Sequence, residues 1–222
     1  MRMENALSMS DARIRAYYAA RAAEYDRVYE KPERQADLRA IEKWLSSKCV
    51  GANVLEIACG TGHWTQFIAP AARRVTALDA SEEMLSLARA RVADRNVEFE
   101  VGDAYDLARH ADFDLVFAGF WFSHVPKARQ REFVSGLNAA LRPGARVVLL
   151  DNRYVEGSST PIAERDDDGN FYQTRTLRDG STHRVLKNFP TEDELGSLLD
   201  GLGERAVYTT WEYYWAFEYL TL

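Results

Sequence analysis

The residues best suited to hold a ligand begin at Val54-Leu55-Glu56-Ile57-Ala58-Cys59-Gly60-Thr61-Gly62 and continue into His63-Trp64-Thr65-Gln66. An apolar run enters a turn of small residues and leaves as a helix, the arrangement by which a buried parallel strand meets a helix N-terminus. With no side chain at Gly60 or Gly62, a ligand can lie against the backbone. The first N–H groups of the helix then face an anionic or polar group. This is the chemistry of a nucleotide-type site. A dinucleotide fingerprint needs Gly-x-Gly-x-x-Gly, and position 65 is Thr, which disfavours a nicotinamide oxidoreductase.

Two further acids stand where other apolar runs stop. Asp79 closes residues 75–79, where a carboxylate can accept from both ribose hydroxyls; the competing role is a helix cap before Ser81. Met84, one turn on, is placed to cover an adenine face. Asp103 follows residues 97–101 and could accept from an adenine amino group, with the Ala104 backbone alongside. A fourth run, 113–117, leads into Ala118-Gly119-Phe120-Trp121-Phe122-Ser123-His124-Val125-Pro126. Trp121 and Phe122 read as an aromatic wall suited to a cation. His124 is either a general base or a hydrogen-bonding wall of the pocket.

These positions need an alternating scaffold. Strands at 52–57, 75–79, 97–101, 113–117 and 145–150 alternate with helices at about 63–72, 81–93 and 127–141. Such alternation implies parallel pairing with ligands beyond the strand carboxyl ends. Ahead of them, residues 11–29 and the segment from Pro32 to about Lys48 read as helices, the second burying Leu38, Ile41 and Leu45.

Glu56 before Ala-x-Gly-x-Gly, with Asp79 and Gly102-Asp103 at the next strand ends, resembles the S-adenosylmethionine (SAM) site of class I methyltransferases. Glycine is the usual residue there at the position of Ala58. The resemblance covers about residues 50–151. It implies SAM as cofactor without a metal, and a Rossmann-like α/β fold. That fold has a seven-stranded, mostly parallel sheet in the order 3-2-1-4-5-7-6 with helices on both faces. Its cofactor contacts fall on Glu56, Ala58, Gly60, Gly62, Trp64, Asp79, Ala80, Met84, Asp103, Ala104 and Gly119. The stretch YYAARAAEYD resembles the N-terminal lid of small-molecule methyltransferases, which implies that Tyr17 and Tyr25 close over the methionine end of SAM. Tyr18 and Tyr29 read as core packing.

Bulk properties narrow the partners. The chain has 222 residues and a net charge of −6, against the basic face of a nucleic-acid binder. No base-flipping loop occupies 118–126, no apolar segment suits a membrane, and two cysteines make neither a disulfide framework nor a zinc site. The expectation is a cytoplasmic monomer or homodimer acting on a small molecule. It is read as one domain: lid at 10–48, SAM-binding core at 50–151, substrate-cap insertion at 152–190, and a C-terminal helix with an antiparallel strand pair at 191–222.

The insertion should set the substrate. Asp166, Asp168 and Asn170 imitate a calcium loop, but the glycine falls early and position twelve is Leu177, so a solvated loop suffices. Phe171-Tyr172-Gln173-Thr174-Arg175-Thr176-Leu177-Arg178, Asp179-Gly180, and Ser181-Thr182-His183-Arg184-Val185-Leu186-Lys187 read as a β-hairpin. A two-residue turn sets Arg175 opposite Arg184, with Lys187 on the other face. Like charges across a ladder are destabilising, so either the strands splay into solvent or an anion sits between them. The combination of YYAARAAEYD, FWFSHVP and RTLRDGSTHRVLKNF is similar to the phosphonate O-methyltransferases of dehydrophos biosynthesis. That similarity implies O-methylation of a small phosphonate or carboxylate, with Trp121, Arg175, Arg184 and Lys187 as substrate contacts and His124 as the catalytic candidate. A phenol or amine acceptor with His124 as base stays open, as does a non-catalytic SAM-binding module. Trp211, Tyr213, Trp215 and Phe217 read as sheet packing.

Overall fold

The computed structural model describes residues 21–107, 110, 112–139 and 141–222. Seven strands form the central sheet: β1 (Asn53–Ile57), β2 (Arg74–Asp79), β3 (Val97–Val101), β4 (Leu115–Gly119), β5 (Arg146–Asn152), β9 (Gly203–Thr210) and β10 (Tyr214–Thr221). Their order is β3-β2-β1-β4-β5-β10-β9. The first five pair in parallel, and β10 runs antiparallel to both β5 and β9. This is the expected seven-strand order. Beside it stands a three-stranded sheet, β6 (Glu164–Arg165), β7 (Phe171–Thr176) and β8 (Thr182–Leu186). The polar stretch 152–170, expected to be a solvated loop, thus contributes a short strand at the hairpin edge.

Helices are α1 (Gln35–Lys48), α2 (Thr65–Ile68), α3 (Glu82–Arg91), α4 (Gln130–Ala139) and α5 (Glu192–Leu198). Parallel strands covered on both faces read as continuous apolar runs because alternate residues enter different cores. Val54, Val148 and Leu150 join a core with Leu38, Ile41 and Leu45 of α1. Leu55, Ile57, Val147 and Leu149 join Phe133 and Leu137 of α4 in the other. Burying one such aliphatic side chain contributes about 1.5–3 kcal/mol, so both faces are fixed firmly enough to hold the strand ends in place.

Ser81 caps α3 by accepting from Met84 N at 3.3 Å, and Thr191 with Glu194 makes a capping box on α5. The lid segment differs from expectation: Ala22–Tyr29 is a 3-10 helix. Tyr17 and Tyr18 lie outside the described residues. Among the described residues, no helix is long and apolar enough to cross a membrane.

Candidate functional site

The turn after β1 is shaped by backbone. Cys59 N donates to Leu78 O at 2.8 Å, and Gly62 N to Cys59 O at 3.0 Å. Ala58 takes φ +53° and Gly62 φ +75°. A left-handed backbone at a residue with a Cβ costs roughly 1–2 kcal/mol, so Ala58 carries strain in this turn. At Gly62 a Cβ would sit 3.1 Å from both Cα and Cβ of Ala88 on α3, so this glycine lets the turn touch the helix and does not face a ligand. Gly119 tolerates no Cβ either, since Trp64 Cδ1 would lie 2.8 Å away and Phe117 Cζ 2.9 Å.

Around this turn lies a cleft open to solvent, with about 750 Å³ of empty space within it. Tyr25, Ala58, Gly60, Asp79, Ala80, Met84, Asp103, Ala104 and Gly119 line it, as the sequence reading expects of cofactor contacts. Gly102, part of the same motif, lines it too, whereas Ser81, Tyr105 and Phe120 are additions to the expected set. Asp79 Oδ2 accepts from Gly60 N at 2.8 Å and Oδ1 from Ser81 N at 2.9 Å. It thus performs the capping role and still keeps a second lone pair on each oxygen. Burial pushes its carboxyl up, against the N–H groups of Ser81, Gly60 and Ala80. Asp103 Oδ1 accepts from Tyr105 N at 3.0 Å. Two carboxylates at successive strand ends, apolar walls and Met84 between them fit a group that offers hydroxyl and amino donors on a flat apolar body. That is the chemistry of an adenosyl moiety.

Three expected cofactor contacts stand behind this pocket instead of in it. Glu56 is buried and accepts from Thr65 Oγ at 2.7 Å, tying β1 to α2. Burial pushes its carboxyl up to about 8; the Thr65 hydrogen bond opposes this and the Asp79 charge adds to it. Trp64 packs in the core against Phe117 and Phe120, and Gly62 meets α3. Trp121, expected on the substrate, lines the cofactor pocket, and Phe122 is buried in the second core. Tyr29 packs as expected, stacking on His63 with ring centroids 3.4 Å apart.

Tyr25 and Phe120 also line a second, larger pocket of about 1420 Å³ of empty space. Phe120 reaches both because its backbone turns left-handed at φ +59°, with its N–H on Leu150 O at 2.7 Å. Among the described residues, six cationic side chains line the second pocket (Arg21, Arg27, Lys31, Arg34, Arg175 and Lys187) against one carboxylate, Glu24.

The hairpin register corrects the expected pair of arginines. Arg175 faces His183, and Thr174 faces Arg184. Leu177 N donates to Ser181 O at 2.9 Å and Gly180 N to Leu177 O at 3.0 Å, with Gly180 at φ +84°. That makes a three-residue loop, with a bulge-type glycine, in place of the two-residue turn. A slip of one residue reverses faces. Arg184 therefore leaves the pocket, stacks 3.3 Å from the Tyr172 ring centroid and grips Glu164 at 2.7 and 2.8 Å. Arg175 stays, oriented by Gln173 Oε1 at 2.8 and 3.2 Å. Lys187 shares its face, contrary to expectation, and its ammonium is taken up by Asp151 Oδ1 and Ser123 Oγ, both at 2.6 Å.

His124 lines the second pocket beside them. Its Nδ1 meets Leu186 O at 2.6 Å. A carbonyl only accepts, so Nδ1 carries the hydrogen and Nε2 the lone pair. Burial and the charges of Lys187 and Arg175 hold its pKa well below that of ordinary histidine. Such a ring is a weak base. Among the described residues, no cluster of three or more His, Cys, Asp or Glu suits a metal.

Comparison with known proteins agrees with this geometry. Residues 54–144 match the family described as Methyltransferase domain. The structure of the DhpI–SAM–HEP complex superposes with a TM-score of 0.77 at 32% identity, covering 96% of this chain and 97% of that one. The DhpI–SAH complex gives 0.78 at 30%, covering 96% of each. Among curated proteins, a probable S-adenosylmethionine-dependent methyltransferase of Mycolicibacterium smegmatis is 33% identical over 158 residues, 68% of this chain and 57% of its own length. Demethylmenaquinone methyltransferase of Lactococcus lactis is 28% identical over 156 residues, 66% and 61%. The matched region thus spans about three fifths of these two relatives.

Proposed function

Since the chain belongs to the class I SAM-dependent methyltransferases, we propose that it transfers the methyl group to an oxygen of a small anionic metabolite, a phosphonate or carboxylate. The observation that carries this is the second pocket, which meets the cofactor pocket at Tyr25 and Phe120 and, among the described residues, is lined by six cationic side chains of which Lys187 is already paired with Asp151. The similarity to phosphonate O-methyltransferases, and the DhpI complex that holds HEP beside SAM, support the same class.

When bound, SAM supplies a methyl already activated on a sulfonium. Gly60, Asp79, Met84, Asp103 and Ala104 would hold it. The remaining work of the chain is to orient the acceptor and exclude water. Tyr25 and Phe120 set aromatic rings where the pockets meet, a surroundings that favours a cation. Arg175, braced by Gln173, presents a fork suited to a carboxylate or phosphonate. Such an acid is ionised at pH 7 and needs no base, which matches the weak basicity of His124. The ring instead spans the pocket wall and β8 through Leu186.

The test is mass-spectrometric detection of methyl transfer from SAM to a panel of phosphonates, carboxylates, phenols and amines. O-methyl esters should form with the acids alone, and Arg175→Ala should lower kcat/KM by roughly a hundredfold. His124→Ala should cost less than about tenfold on an acid. A loss above about a thousandfold with binding intact, or methylation of phenols or amines untouched by Arg175→Ala, would replace this reading with base catalysis by His124.

A further inference from the structure

Two cations are deeply buried along the second pocket, and the protein treats them differently. Lys187 has Asp151 at 2.6 Å. Among the described residues, Arg34, only 4% exposed, touches no carboxylate. Its Nε donates to Ser158 Oγ at 3.0 Å and its Nη1 to Asn152 Oδ1 at 2.9 Å. The faces of Tyr213 and Tyr214 lie 5.2 and 5.6 Å from its central carbon. The acid in this network, Glu33, is solvent-exposed and accepts from Ser158 Oγ at 2.7 Å, one hydroxyl removed from the guanidinium. A second cation crowds the same wall, because Lys31 donates to the Ser158 carbonyl. Burial and the Arg34 charge hold the Lys31 amine below its ordinary pKa.

A guanidinium withdrawn from water keeps its charge at any working pH and is costly without an anionic partner. Among the described residues, only neutral oxygens and ring faces meet it, at the rim of a cavity large enough for a ligand. Arg175 occupies a different wall, on the hairpin, and shares neither hydrogen-bond partner with Arg34. We infer that the acceptor carries a second anionic group, received by Arg34 with Lys31, Ser158 and Asn152, so that the substrate class is a small di-acid and not a mono-acid. This rests on reading the second pocket as an acid site. Arg34 on this account is a specificity-determining residue that recognises the non-reacting end of the acceptor.

The experiment is isothermal calorimetry on the full chain saturated with S-adenosylhomocysteine, using butyrate and propylphosphonate as mono-acids against glutarate and 3-phosphonopropionate as di-acids. The di-acids should bind roughly ten- to a hundredfold tighter, the worth of one charge-assisted pair. Arg34→Gln should erase that difference while leaving S-adenosylhomocysteine affinity unchanged. Lys31→Gln, which leaves both Arg34 hydrogen bonds in place, should reduce it in part. Equal binding of mono- and di-acids by the native protein overturns the inference without any variant having to fold. Weakened S-adenosylhomocysteine binding in Arg34→Gln also overturns it, because the guanidinium would then serve the cofactor. The acid-site reading fails separately if neither class of acid binds, or if Arg175→Gln weakens neither.

Discussion

The two pockets that meet at Tyr25 and Phe120 are held by different kinds of interaction. The cofactor side is made of strand ends and backbone: the turn after β1, the acids closing β2 and following β3, and two glycines whose hydrogen atoms are all that neighbouring side chains allow. The second pocket is made of long side chains delivered from the lid segment, the residues just ahead of α1, the insertion and the hairpin. A backbone cradle is fixed once the sheet forms, whereas a cage of arginines and lysines depends on register and on each partner that aims a side chain. The same sheet can therefore keep one ligand constant while the other varies.

The contrast is broken most severely by one methyl on the cofactor side. Gly62→Ala places a Cβ 3.1 Å from Ala88 in a left-handed backbone and should cost about 2 kcal/mol, a melting-point drop of roughly 4–8 °C. An unchanged melting temperature would show that the turn does not depend on backbone contact with α3. A smaller effect concerns charge behind the turn. With the folded carboxyl of Glu56 raised to about 8, the folded state binds its proton in a range where the unfolded chain has lost it. Its contribution is full below about pH 4.5 and declines as pH rises toward 8. Glu56→Gln, which keeps an acceptor for Thr65, should flatten the melting temperature between pH 5 and 8; equal slopes in both proteins would count against a protonated Glu56. The smallest effect should come from Arg184→Gln on the outer hairpin face. Its pair with Glu164 is about half exposed, so stability should move by less than about 1 kcal/mol. KM for an acid should not move at all, and a rise in KM would return Arg184 to the pocket.

Much of the cofactor side was legible because local sequence dictates it. Asp79, Asp103 and the Gly60 turn are recognisable from where apolar runs stop; alternation gives the parallel pairing, and the strand order comes from the resemblance to class I methyltransferases. What misled at Glu56, Gly62 and Trp64 was that a motif identifies a turn without saying which of its residues face the ligand and which brace it from behind. On the acceptor side the Asp179-Gly180 pair signalled a hairpin correctly. It could not reveal that Arg178 joins the loop, and that single residue carries Arg184 to the outer face. Arg34 gave no signal at all. Three residues into a segment marked by Pro32, it looks like any helix-start arginine, and its value arises only when β5, β10 and the insertion close around it.

The wall that the two pockets share has a thermodynamic consequence. Tyr25 lies on the lid segment, which is tied to the cofactor side through Asp26, Thr61 and Arg91 and to the hairpin tip through Glu24 and Arg178. Any free energy that one occupant spends or gains in ordering that segment changes the affinity of the other. The factor by which cofactor alters acceptor affinity must equal the factor by which acceptor alters cofactor affinity. Heterotropic linkage between donor and acceptor is thus built into a partition made of two aromatic rings.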